Sequence, residues 1–196
     1  MQTRRAVSWL FGALLCGAVS LGAVAQGRPD PKVLQADQSE AMGKLVFMDG
    51  VWRGPAWALL PSGEKHHLTQ TERIGPFLGG AVKVIEGRGY EADGAVAFNA
   101  FGTVSYSPAT RKYTLHSYAL GQVGDFEFRA LADGYSWTMP AGPKATILYT
   151  ATITADTFVE IGDYMEPGNE PTRVFEMRLK RIGNTDWPAA GAVAAK

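Results

Sequence analysis

Met48-Asp49-Gly50-Val51-Trp52-Arg53-Gly54 is the stretch whose reading decides the fold. It is a Gly-x-Trp-x-Gly element between a helical pattern and the first extended run. Trp52, Gly54, Ala56 and Ala58 share one face of that run, because successive side chains of a strand point to opposite sides. With that face inward, Trp52 plugs one end of a barrel and its small neighbours leave room above it. Small interior side chains are how a barrel of moderate size keeps a cavity rather than a packed centre.

Downstream the pattern is β throughout. Candidate strands cover 51–60, 64–74, 81–91, 95–106, 111–120, 124–131, 135–139, 145–153, 157–164 and 172–182. Turn chemistry separates them: Pro61-Ser62-Gly63, Gly75-Pro76, Asp93-Gly94, Ser107-Pro108, Asp133-Gly134, Pro140-Ala141-Gly142-Pro143 and Pro167-Gly168-Asn169. Asp-Gly between extended runs signals a hairpin, since both residues tolerate positive φ. No strand–helix–strand rhythm is present, so a parallel sheet is not expected. The expectation is an all-β antiparallel up-and-down barrel of about ten strands with a short N-terminal helix. Glycines inside the runs (Gly54, Gly87, Gly89, Gly102 and Gly162) mark bends or the close approach of another group.

Upstream, Asp37 with Glu40 three residues on has capping-box spacing. Ala41, Met42, Leu45 and Val46 recur at helical intervals and predict a buried face. Residues 26–36 are polar and proline-bearing and read as a linker, residues 37–183 as the barrel domain, and 184–196 as a disordered tail. The first 25 residues read as a signal peptide: Arg4 and Arg5, an apolar stretch over 6–21, then Ala23-Val24-Ala25 before Gln26. Val7 and Ser8 fit a twin-arginine signal poorly, and Leu15 before Cys16 is too large for a lipoprotein site. The expected location is therefore periplasmic or secreted, with no stable membrane anchor in the mature chain.

Removing residues 1–25 removes Cys16, the single cysteine, so disulfides, thiolate metal sites and cysteine nucleophiles are excluded from the mature chain. It also leaves 17 basic residues against 19 acidic ones. No basic stripe is present, so nucleic acid is not an expected partner. About 170 residues suffice to bury one core without crosslinks.

Gly50-Val51-Trp52 after a short helix resembles the Gly-x-Trp element of calycins, the superfamily of lipocalins and fatty-acid-binding proteins. In lipocalins an arginine from the last strand packs over that tryptophan, and Arg178 and Arg181 are the candidates for this role here. A wider resemblance covers nearly the whole mature domain. It rests on Gly50-x-Trp52-x-Gly54, Leu78-Gly79-Gly80, Glu86-Gly87-Arg88-Gly89, the stretch from Gly102-Thr103-Val104 to Arg111-Lys112-Tyr113, and Arg178-Leu179-Lys180-Arg181. These are similar to the secreted bacterial family known as domain of unknown function 1579. That resemblance implies a lipocalin-like barrel and no particular activity. Haem-binding barrels of the nitrobindin type use a histidine near the C-terminal strand, and this chain departs from that pattern, with no histidine after His116.

The candidate ligand-binding residues are His116, Tyr118, Glu86, Arg88, Trp57 and Asn99. His116 shares a face with Thr114 and Tyr118, and Glu86 and Arg88 share one with Val82, Val84 and Tyr90. The period of two fixes which residues share a face but not which way it points. Trp57, Trp137, Phe98, Phe101, Phe126 and Phe128 supply either core or an apolar ligand wall. His66 and His67 point to opposite faces and cannot chelate one ion in regular geometry. Glu72, Glu127, Arg129, Glu160 and Glu176, also inside strands, read as solvated. No catalytic motif, metal motif or phosphate loop is present, so no catalytic residue, metal or cofactor is assigned. The expected function is binding of a small apolar or amphipathic molecule. An enzyme with a polar pocket around His116 and a structural or protein-interaction barrel are the alternatives.

Overall fold

The computed structural model describes residues 29–188 and 193. The signal-peptide assignment falls outside them. Helix α1 (Pro31–Gly43) is followed by a 3₁₀ turn (Val46–Met48) and ten strands, with a second 3₁₀ turn (Leu78–Gly80) between the second and third strands. These are β1 (Gly50–Leu59), β2 (Lys65–Phe77), β3 (Val82–Tyr90), β4 (Val96–Ser107), β5 (Lys112–Ala119), β6 (Gln122–Ala130), β7 (Gly134–Pro140), β8 (Thr146–Ile153), β9 (Thr157–Met165) and β10 (Thr172–Gly183). Every strand pairs antiparallel with its chain neighbours, and β10 pairs with β1 to close the barrel. Closure leaves no unpaired sheet edge.

Two expectations about the ends are corrected. The helix begins at Pro31, inside the stretch read as a linker, because Asp30 is its cap: the Asp30 carboxylate accepts from Lys32 N at 2.9 Å. Pro31 fits the first turn, where its missing N–H needs no partner. The tail is ordered as far as Trp187, whose indole N–H donates to the Arg73 carbonyl at 3.3 Å while the Arg73 guanidinium stacks on its ring at 4.1 Å. Thr185 lies so close over Gly75 that a side chain there would collide with it.

α1 lies across one end of the barrel. The Gln38 amide donates to the Tyr106 carbonyl at 3.1 Å and the Tyr113 hydroxyl to the Ala41 carbonyl at 2.7 Å. Ala41, Met42 and Leu45 are buried as the periodicity predicts, but Val46 is 65% exposed. The chain leaves the α-helix at Gly43, so the next apolar residue turned inward is Met48.

Trp52 is completely buried at that end. Its N–H donates to the Met48 carbonyl at 3.2 Å, Phe158 meets its ring edge-on at 5.7 Å, and Arg181 stacks over it at 4.3 Å. Of the two candidate arginines it is Arg181 that takes this place. Arg178 pairs instead with Glu176 on the outer wall. Both glycines of the element have a steric reason. A Cβ on Gly50 would stand 2.5 Å from Arg181 Nη1, and one on Gly54 would collide with the Arg178 carbonyl and lie 2.9 Å from Leu179 Cα. The β1–β10 ladder pairs Arg53 with Lys180 and resumes at Ala56 with Met177. Gly54 and Pro55 fill the gap, where proline has no N–H to donate. Leu45, Met48, Trp52, Ile74, Val104, Phe158 and Leu179 together make a dry floor.

Candidate functional site

Above the floor the barrel is hollow. The cavity has a volume of about 640 Å³ and is bordered by residues from all ten strands and the β5–β6 turn, with Ala56, Ala58, Ile85, Gly87, Ala100, Gly102, Leu115, Phe126 and Met177 in its wall. This size is in the range of small-molecule sites. The antiparallel order puts the far ends of β1, β3, β5, β7 and β9 at the opposite end from Trp52, and the turns after them form the mouth. Leu120, at the tip of the β5–β6 turn, is exposed and borders the cavity there.

One side of the wall is aromatic. Trp137 and Tyr149 stack face to face at 4.2 Å with 6° between their planes, Phe126 lies 5.3 Å from Trp137, and Phe175 meets Tyr149 edge-on at 5.9 Å. Gly162 makes the stack possible, since a Cβ there would stand 2.8 Å from the Tyr149 ring.

The polar part of the wall is acidic. Glu72 on β2 and Glu160 on β9 both border the cavity, and each is 8% exposed. Gln70 donates to Glu72 Oε1 at 2.8 Å, and the Trp137 N–H donates to Glu160 Oε1 at 3.0 Å. Burial pushes the Glu72 carboxyl up to about 8, against the Gln70 hydrogen bond and with the charges of Glu160 and Glu86 adding to the rise. Burial likewise pushes Glu160 up to about 7, moderated by hydrogen bonds from Trp137 and Tyr135. Burial raises the Tyr135 hydroxyl strongly and takes Tyr149 up to about 12, in both cases with the Glu160 charge adding to it. A desolvated carboxyl favours its neutral form. Among the described residues no lysine or arginine borders this cavity. His66 stands at the mouth, its Nε2 2.9 Å from Glu91 Oε1. Among the described residues no group of three His, Cys, Asp or Glu side chains is placed to hold a metal ion.

The sequence-derived candidates mostly lie on the other side of the wall. His116 is 39% exposed on the outer face of β5, between Leu115 and Ser117, which border the cavity. There its Nδ1 contacts the Asp125 carboxylate and its Nε2 lies 3.0 Å from the Tyr118 hydroxyl. Glu86 and Arg88 are outside too: Glu86 pairs with Arg73 at 2.8 Å and with Arg88 at 2.6 Å. They border an outer hollow of about 280 Å³, with Val51, Thr71, Arg73 and Tyr90, and Glu72 borders this hollow as well as the cavity. Asn99 is exposed opposite Arg88. Trp57 borders the cavity, although its ring lies under the Lys65 ammonium at 3.6 Å. The placement of His116, Tyr118, Glu86, Arg88 and Asn99 in a cavity wall is therefore corrected. The inward parity of β3 is that of Ile85, Gly87 and Gly89, and that of β5 is Leu115 and Ser117. Glu72 and Glu160, read as solvated, are the interior charges. Gly87 opposes Glu72 in the β2–β3 ladder, and a glycine facing a carboxylate leaves it a seat, a pairing that appears only once the strand register is known.

No known family model matches the chain, and no curated protein matches it in sequence. Solved structures do match. The chain is similar in fold to Rv2717c from M. tuberculosis. That crystal structure superposes with a TM-score of 0.54 over 72% of this chain and 96% of the other, at 12% sequence identity. At that identity the likeness concerns the barrel alone.

Proposed function

We propose that the protein is an exported barrel that binds a small apolar or amphipathic molecule inside its cavity. The observation that carries this reading is the hollow of about 640 Å³, lined mainly by apolar and aromatic side chains above a sealed floor. A packed interior would stabilise the fold more than a void, so keeping Ala56, Ala58 and Ala100 where larger side chains would fill the space is a cost that a ligand explains. The N-terminal pattern of Arg4-Arg5, an apolar run and Ala23-Val24-Ala25 supports action in the periplasm or outside the cell.

The catalytic alternative around His116 has lost its pocket. His116 keeps a carboxylate partner in Asp125, but both face outward from the wall. The test of the binding reading is native mass spectrometry of the protein purified from its own host, followed by extraction of whatever small molecule accompanies it. Displacement of an environment-sensitive apolar dye by that molecule would support the reading. A protein that carries no ligand and takes up no apolar dye would overturn it.

A further inference from the structure

The chemistry of the cavity narrows what it holds. A fatty-acid carrier needs a cation or several hydrogen-bond donors where the carboxylate head rests. Among the described residues no lysine or arginine borders the cavity, His66 stands at its mouth already paired with Glu91, and the two buried acids are Glu72 and Glu160. Gln70 satisfies Glu72 Oε1, while Oε2 has no donor among the described residues. That oxygen is not sealed in protein, because every fully enclosed side-chain polar atom among the described residues has a partner. It is therefore a hydrogen-bonding position left open on the wall of the cavity, on a residue more than nine-tenths buried. Its seat is built for it: the carboxylate rests over Gly87, where a Cβ would stand 2.8 Å from Oε1. Glu160 is joined to the aromatic wall through the Trp137 N–H. The faces of Trp137, Tyr149 and Phe175 attract cations as well as apolar surface.

Resting on the binding reading above, we propose that the ligand is an amphipathic amine, with its apolar body against the Trp137–Tyr149 wall and its ammonium at Glu72 and Glu160. An ammonium supplies the donors that Glu72 Oε2 lacks and separates the two carboxylates with positive charge. A carboxylate head would instead meet two acids with no lysine or arginine beside them, which burial makes expensive. Binding from neutral solution then releases protons, because the ammonium stabilises the ionised carboxylates. The two acids are costly to the empty barrel, and recognition of a cation gives them a use.

The test compares three probes with one tail, n-decylamine, n-decanol and decanoate, by isothermal titration calorimetry in buffers of different ionisation enthalpy. Decylamine is expected to bind at least about tenfold more tightly than decanoate and to release protons. Glu72→Gln, which keeps the shape of the side chain, is expected to bring decylamine down to the affinity of decanol and to leave decanol unchanged. Glu160→Gln is expected to weaken decylamine in the same direction, and circular dichroism checks that both variants fold. Decanoate binding as tightly as decylamine would overturn the proposal, as would a folded Glu72→Gln that keeps the preference for the amine. Decanol bound without any preference for the amine removes this inference alone, whereas failure of all three probes removes the binding reading with it.

Discussion

The Glu72 carboxylate lies over the bare backbone of Gly87, its directly paired residue on the next strand. Gly54 is bare for a different reason, since the backbone of Arg178 and Leu179 crosses it. The two glycines should therefore respond differently to one added methyl group. In Gly54→Ala the obstacle is main chain that cannot move without opening the β1–β10 seam, so urea unfolding should report a loss of about 2 to 4 kcal/mol. In Gly87→Ala the obstacle is the end of a flexible side chain. Stability should change by less than about 1 kcal/mol, while Glu72 is displaced and the amine preference falls. Equal destabilisation by the two substitutions would contradict this account.

The Trp52 floor gives a second prediction. Trp52→Ala removes a wholly buried indole touching Phe158 and Arg181, and should lose about 3 to 5 kcal/mol by thermal or urea unfolding. Arg181→Met keeps an apolar cover for the ring and should lose about 1 kcal/mol, the size of a partly exposed cation–π contact. In neither case should decanol binding change first, because the cavity lies above the floor. A folded Trp52→Ala whose unfolding midpoint matches the parent would show that the floor does not hold the barrel together.

These two predictions rest on features the sequence displays well. The Gly-x-Trp-x-Gly element, the turn dipeptides and the alternating strands were legible because each reflects a local constraint: φ at a turn, a side-chain period, a steric exclusion. The inward direction of each strand was not local. On β5 the choice between His116 with Tyr118 and Leu115 with Ser117 depends on which face the closed sheet turns inward. The first set looked like a site because it is polar, yet polar residues on a strand are the ones expected to meet water. Glu72 and Glu160 were passed over by the same rule, since a charge on a strand is usually solvated. Only the three-dimensional pairing of Glu72 with Gly87, and of Glu160 with the Trp137 N–H, reveals them as interior groups. The helix start was missed because Asp37-x-x-Glu40 matched the capping-box spacing, whereas Asp30 next to Pro31 supplied the cap.

The two interior acids predict an unusual pH profile for the ligand-free protein. Facing or reaching Glu72 are Gln70 on its own strand, Glu160 on β9, Tyr135 on β7 and Glu86 on the outside of β3. Its folded value of about 8 and that of about 7 for Glu160 both lie above the ordinary carboxylate value of 4.5. Between those limits the folded state holds more protons than the unfolded one, so stability falls as pH rises. The penalty is absent below about pH 4.5, grows through neutrality and is complete above about pH 8. For Glu72 alone it should be on the order of 5 kcal/mol. Urea unfolding at about pH 5, about pH 6.5 and about pH 8.5 measures the slope, and Glu72→Gln should remove most of it. A parent protein whose stability rises over this interval would place Glu72 outside the low-dielectric interior.

The cavity itself can be tested by filling it. Ala100 lies on the inner face of β4, beside Gly87 on β3 and Ala119 on β5, so a large side chain there projects over small neighbours into empty space. Overpacking a dense core is destabilising, but filling a void adds buried apolar area at about 25 cal/mol per Å². Ala100→Trp should therefore leave stability unchanged or raised, and weaken decanol binding by more than about tenfold as judged by calorimetry. The neighbouring residue serves as the control. Asn99 points outward, so Asn99→Leu should leave decanol affinity within about twofold of the parent, as should His116→Ala and Arg88→Ala on the same outer wall. If Asn99→Leu blocked binding and Ala100→Trp did not, the inward parity of β4 would be reversed, and the ligand would lie outside the barrel.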